Sequence, residues 1–156
     1  MKDIDLTKEI LSGKEIREKL LKGIETVYKS VGSTLGPMGK NVIIGLNKYG
    51  DSRITKDGVS VAKEIFLEDK FENLGAQLLK KVSMKCAKDA GDGTTTSTIL
   101  ARDLLTEAFA MNIKNVYQFE KGLKKACSDV IDYIRTHYTR EVKTLDDIYD
   151  IAMISS

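Results

Sequence analysis

The chain has 156 residues, 42% of them hydrophobic and 31% charged, and a formal net charge of +2. That length supports a modest core, and the near-cancelling charge gives no reason to expect a nucleic-acid partner. No apolar run is long enough to span a membrane, and the start, "MKDIDLTKEILSGKE", lacks the apolar stretch of a signal peptide.

The first predicted element is a helix. Ser12 and Glu15 fit a capping box, and Ile16, Leu20, Ile24, Val27 and Val31 then recur every three or four residues. Gly36-Pro37 should stop it. The β-branched run Val42-Ile43-Ile44, a turn-rich Asn47 to Asp51 and a returning Arg53-Ile54-Thr55 read as a β-hairpin. Two short strands are marginal alone, so this hairpin calls for a pairing partner.

A short helical turn is expected from Val59 to Ile65. A longer helix should follow, with Phe71, Leu74, Leu78, Val82 and Cys86 on one face, ending by Gly91. The next carries Ile99, Leu100, Leu104, Leu105, Ala108 and Phe109. Another carries Val116, Phe119, Leu123, Cys127, Val130, Ile131 and Ile134, and a last one starts near Thr144. The fold class is therefore mainly α, a helical bundle with one small β-hairpin. Cys86 and Cys127 form no CxxC pair and read as buried, reduced thiols. His137 is the only histidine, which argues against a histidine-based zinc site or catalytic triad.

Three glycine breaks stand at predicted helix ends. "AGDGTTTSTILA" (residues 90–101) sets poor helix formers where a helix should begin. A helix N-terminus offers unpaired N–H groups and partial positive charge; glycines let a phosphate approach, and threonine hydroxyls add donors. Asp92 would repel a phosphate unless Mg²⁺ lay between them. The alternative is a capped helix, with Asp92 as the cap and the threonines incidental. "TLGPMGKN" (34–41) suits either a plain helix stop or a site for a cation or ribose. In "ITKDGVS" (54–60), Asp57 is either a tight-turn residue or a group facing phosphate or water.

Together with their order and spacing, "TLGPMGKNV", "ITKDGVSVAKEIFLEDKFENLGAQ" and "AGDGTTTSTILA" resemble the group I chaperonins, the GroEL-type folding machines. The resemblance runs from about residue 10 to Ser156 and implies that residues 1–156 are the N-terminal part of an equatorial ATPase domain. It further implies an ATP pocket. Thr34, Leu35, Gly36 and Pro37 would contact the nucleotide, and Lys56 would lie near its phosphates. Asp92 would bind Mg²⁺, with Gly93, Thr94, Thr95 and Thr96 holding the phosphates. K⁺ would sit near the Thr34 and Lys56 carbonyls, and Asp57 would assist hydrolysis at the γ-phosphate.

The same resemblance implies a ring of identical subunits joined partly through the hairpin, unfolded proteins as clients, a co-chaperonin left open, and no nucleic-acid or membrane partner. The location would be a bacterial or infected-host cytoplasm, or an organelle matrix. "GLNKYGDSR" is slightly longer than usual for the family and "AFAMNIKNVYQFEKG" slightly shorter, as suits a divergent, phage-borne lineage. The chain is about a quarter of a typical member's length; the intermediate and apical domains are absent from it. An ATP-hydrolysing chaperonin subunit is the expectation for the whole protein, with the segment alone inactive. The alternative is a truncated, non-catalytic nucleotide-binding or assembly module.

Overall fold

A computed structural model describes residues 9–45, 52–111 and 113–155 of the chain. It divides into two compact units, Met1–Ala110 and Met111–Ser156. In chain order the first unit contains α1 (Gly13–Gly32), β1 (Val42–Gly45), β2 (Ser52–Thr55), α2 (Gly58–Glu64), α3 (Lys70–Ala90) and α4 (Thr94–Ala110). The second contains α5 (Val116–His137) and α6 (Leu145–Ser155).

The core of the first unit is small: Ile24, Val27 and Val31 of α1, Val61 and Ala62 of α2, and Ala76 and Leu79 of α3. Its geometry is set by an unusually close crossing of α1 and α3. A Cβ at Gly23 would lie 1.8 Å from the Glu72 carbonyl oxygen, and one at Gly75 would lie 2.1 Å from that of Leu20. Backbone thus packs on backbone, and only glycine fits at either position. This crossing overturns the expected face of α3. Its buried residues are Gly75, Ala76, Leu79, Lys80 and Ser83, whereas Leu74 and Leu78 are exposed and Phe71, Val82 and Cys86 only partly covered. The buried face lies one residue, about 100°, around the helix from the large apolar stripe.

Polar joints complete the packing. The Ser83 and Thr98 hydroxyls, both fully buried, meet at 2.6 Å between α3 and α4. Arg102 of α4 pairs with Glu25 of α1 at 2.8 Å and lies 4.5 Å above the Tyr28 ring. Lys80, also buried, donates to the carbonyls of Lys63 and Ile65 at 2.7 and 2.9 Å. It ties the C-terminal end of α2 to α3, where a cation is favoured. On α4, Thr98 is buried and Ala101 and Leu105 pack on the core, while Leu100 and Leu104 are exposed.

Helix ends follow local chemistry, with one exception. Asp69 caps α3 by accepting from the Phe71 and Glu72 N–H groups, and Gly91 ends it in the left-handed region at φ 78°. α1 does begin after Ser12, but the Ser12 side chain makes no capping hydrogen bond, so the expected box is not formed. α1 ends at Gly32, ahead of Gly36-Pro37, where the Thr34 and Leu35 N–H groups turn back to the Val31 and Gly32 carbonyls.

The hairpin pairs antiparallel in the register Val42↔Thr55, Ile43↔Ile54, Ile44↔Arg53 and Gly45↔Ser52. Ile43 and Ile54 form an exposed cross-strand pair, and Val42 packs on the core. The two strands are the whole sheet among the described residues. The turn expected at Asn47 to Asp51 lies outside the described residues.

In the second unit, α5 is capped by Asn115, whose side chain accepts from the Gln118 N–H at 3.0 Å. α6 starts on a reciprocal pair: the Asp147 N–H donates to the Thr144 hydroxyl, and the Thr144 N–H to the Asp147 carboxylate. None of the described residues of α5 is buried. Cys127 is exposed and Cys86 half-buried, so the expectation of two buried thiols fails.

Candidate functional site

The three glycine breaks, separated by up to about sixty positions in sequence, meet in space. The Thr34 and Thr95 hydroxyls lie 3.3 Å apart, joining the loop after α1 to the first turn of α4. Gly58, the first residue of α2, fills the remaining corner. A Cβ there would stand 2.6 Å from the Thr95 hydroxyl, 3.1 Å from Val31 Cγ1 and 3.7 Å from the Thr34 hydroxyl. Each motif thus contributes one residue to a single contact, and a methyl at position 58 would have to displace the Thr95 and Val31 side chains.

The loop after α1 is held by hydrogen bonds from Lys40 N–H to the Ser33 carbonyl at 2.8 Å and from Gly39 N–H to the Gly36 carbonyl at 2.9 Å. Thr34 is buried, its hydroxyl donating to the Val31 carbonyl at 2.7 Å. Leu35, Gly36 and Pro37 are exposed along the loop's outer side. The Thr34 carbonyl oxygen sits 2.2 Å from where a Gly39 Cβ would be, a close approach that again demands glycine.

At the start of α4 the cap is Gly93, not Asp92. The Gly93 carbonyl accepts the first helical hydrogen bond, from Ser97, and Gly93 takes φ 78°, a left-handed conformation suited to glycine. The reading of Asp92 as the N-cap is therefore excluded. Asp92, one residue earlier and exposed, accepts from the Gly93 N–H at 2.6 Å, and its carbonyl accepts from the Cys86 thiol at 3.2 Å. Thr94 and Thr95 are half-buried and Thr96 is exposed. The first-turn N–H groups have no preceding helical carbonyl to bond, and partial positive charge gathers at this end.

Lys56, exposed, follows β2 directly, and Asp57 caps α2. The Asp57 Oδ1 accepts from Val59 N–H at 3.2 Å. Its Oδ2 accepts from both the N–H and the hydroxyl of Ser60, at 3.0 and 2.6 Å. Burial pushes the Asp57 carboxyl up, but the Ser60 and Val59 donors and the Lys63 charge outweigh it and hold the group below its ordinary value.

Among the described residues no three His, Cys, Asp or Glu side chains gather into a metal site. A divalent ion here would need one carboxylate and a ligand's own oxygens, the pattern expected of Mg²⁺ with a phosphate. A shallow concavity lies elsewhere, along Leu123, Cys127, Ile131 and Arg135 of α5. It is an open face of one helix without the converging polar groups of a ligand site.

Residues 27–156 match the model of the TCP-1/cpn60 chaperonin family. The chain belongs to that family. It is 45% identical over 155 residues to heat shock protein 60 of Emericella nidulans, covering 96% of this chain and 25% of the relative. The mitochondrial heat shock protein 60 of Saccharomyces cerevisiae is 43% identical, over 96% of this chain and 26% of the relative. Among solved structures, the fold is similar to the chaperonin gp146 from the bacteriophage EL 2 (Pseudomonas aeruginosa), crystallised in the presence of ATP-BeFx. The TM-score is 0.72 and the identity 27%, over 83% of this chain and 22% of that one. The chain thus spans about a quarter of the length of the relatives it matches. Family and fold class agree with the sequence reading.

Sequence reasoning did not single out Gly58, Ser60 or Cys86 as parts of the site. The pattern Asp57-Gly58-Val59-Ser60 held the signal for Ser60, since a hydroxyl three positions after a helix cap can reach back to it. Nothing local signals Gly58's close contact, because Thr95 approaches it from a distant part of the chain.

Proposed function

We propose that this chain supplies the phosphate- and metal-holding side of an ATP pocket in a chaperonin subunit that assists protein folding. The observation that carries this reading is the meeting of Thr34, Gly58 and Thr95, which gathers three glycine-bearing helix ends at one point. The residues fit a triphosphate. Gly93 and the first-turn N–H groups of Thr94, Thr95 and Thr96 admit and bind phosphate oxygens. Leu35, Gly36 and Pro37 border the nucleotide, Lys56 adds positive charge near the phosphates, and Asp92 offers the carboxylate for Mg²⁺. The magnesium ion would supply the charge that neutralises phosphate oxygens beside that carboxylate. The carbonyls of Thr34 and Lys56 would hold K⁺. Asp57, kept ionised by its donors, would orient or deprotonate water at the γ-phosphate.

The whole protein would be a slow ATPase working as a ring of identical subunits on unfolded clients, in a cytoplasm or an organelle matrix. The mitochondrial relatives support the second location, and no described helix is long and apolar enough to cross a membrane. The hairpin supports the ring: its exposed Ile43–Ile54 pair, and edges that no other described strand pairs with, suit pairing with a neighbour's strand.

The test is Asp92→Ala in the complete protein. Mg²⁺-dependent ATP binding, measured by calorimetry, should be lost because phosphate charge no longer has its neutralising ion. Unchanged Mg·ATP affinity would overturn the assignment. Asp57→Ala should instead leave binding near wild type and cut turnover; loss of both together would reduce Asp57 to a turn residue.

A further inference from the structure

We propose that Ser60 is a positioning residue for hydrolysis, fixing the Asp57 carboxylate so that Oδ1 is the oxygen presented to the attacking water. The inference rests on the ATPase reading above. Its basis is the unequal loading of the two carboxylate oxygens. Oδ2 takes two donors from the same residue, the Ser60 hydroxyl at 2.6 Å and the Ser60 N–H at 3.0 Å. Oδ1 takes one, the longer Val59 N–H at 3.2 Å. A carboxylate has about four lone-pair sites, so Oδ1 keeps the greater capacity to accept from water.

The hydroxyl matters beyond the cap itself. Backbone N–H groups alone would cap α2 with any carboxylate rotamer that reaches them. The Ser60 side chain adds a second, short bond to Oδ2 and so selects one rotamer. The neighbouring geometry makes this selection count. Gly58 is packed against Thr95 and Val31, so the backbone beneath Asp57 is fixed. The far end of α2 is held by Lys80. With both ends of the short helix anchored, the remaining freedom is in the side-chain torsions of Asp57, which the Val59 and Ser60 N–H groups limit and the Ser60 hydroxyl limits further.

Ser60 acts through Asp57 and is not assigned a contact with nucleotide. Its removal should therefore lower turnover without weakening ATP binding. In the complete protein, Ser60→Ala should reduce the ATP turnover rate roughly tenfold, the scale of one lost hydrogen bond to a charged group, with the ATP dissociation constant unchanged. Ser60→Thr, which keeps the hydroxyl, should restore turnover. A double-mutant cycle separates positioning from a general structural effect: in an Asp57→Ala background, Ser60→Ala should change turnover no further. If Ser60→Ala turns over normally, or lowers turnover equally with and without Asp57, the inference fails while the ATPase reading stands. If the wild-type protein hydrolyses no ATP, the ATPase reading fails and this inference with it.

Discussion

Two long helices of this chain, α3 and α5, differ by one residue in length, and both carry an apolar repeat, yet α3 buries five residues and α5 none of those described. The difference lies in what small residues permit. On α3, Gly75 lets the α1 backbone approach to contact, and burial follows for Ala76, Leu79 and Ser83 along the same line. On α5, Gly122 meets nothing within 4 Å. Apolar periodicity thus gives each helix a face, but close approach at a glycine decides where the first unit's core forms.

The sharpest way to break this comparison is one substitution made at both places. Gly75→Ala gains about 1 kcal/mol of helix propensity but drives a methyl into the Leu20 carbonyl. The clash should win, destabilising the first unit by about 3 kcal/mol or more, since backbone on backbone leaves no side chain to yield. Gly122→Ala carries the same propensity gain and no clash, so it should stabilise α5 by about 0.5–1 kcal/mol. Chemical denaturation of both variants checks the pair, and equal signs would refute the role given to the crossing.

A smaller effect is expected at Lys80. Lys80→Met keeps most of the buried stem but leaves the Lys63 and Ile65 carbonyls without their ammonium donor. The cost should be about 1–3 kcal/mol by denaturant titration. An unchanged midpoint would show that water replaces the ammonium without penalty.

The mildest effect is one of pH. The Lys19 ammonium hydrogen-bonded to Asp69, aided by the Glu72 and Phe71 N–H donors, lowers the Asp69 carboxyl to about 2. A group depressed on folding stabilises above its unfolded value, near 4, and that contribution disappears as pH falls towards about 2. Lys19→Met should therefore cost a little stability at neutral pH, and the cost should shrink across that acid window. Because both side chains are still about one-third exposed, solvent screens the pair and the loss will be small. An NMR titration of Asp69 that does not move in the variant would refute the pairing.

Element identity was legible in the sequence because caps and breaks are local. Gly91 and Thr144 act within a few residues of themselves, and the hairpin's apolar strands announced their pairing. The buried face of α3 was not legible. A hydrophobic repeat ranks Leu74 and Leu78 above Gly75, whereas the fold ranks by how near two backbones can come. Of the candidate site, the three motifs could be read one by one. Their meeting could not be read from the residues alone, because the contact of Gly58 with Thr34 and Thr95 is tertiary. The identity of the α4 cap was missed for a local reason: glycine in a left-handed conformation took the place that an aspartate ordinarily holds.

The lysine that reaches from α3 to the end of α2 has a consequence for how the chain opens. A seven-residue helix has too few internal hydrogen bonds to persist by itself. Because Lys80 grips its final carbonyls from within a much longer helix, α2 cannot fray at that end without extracting a buried ammonium. Its amide protons should therefore exchange with deuterium in step with those of α3, making the two helices a single cooperative unit despite the break between them.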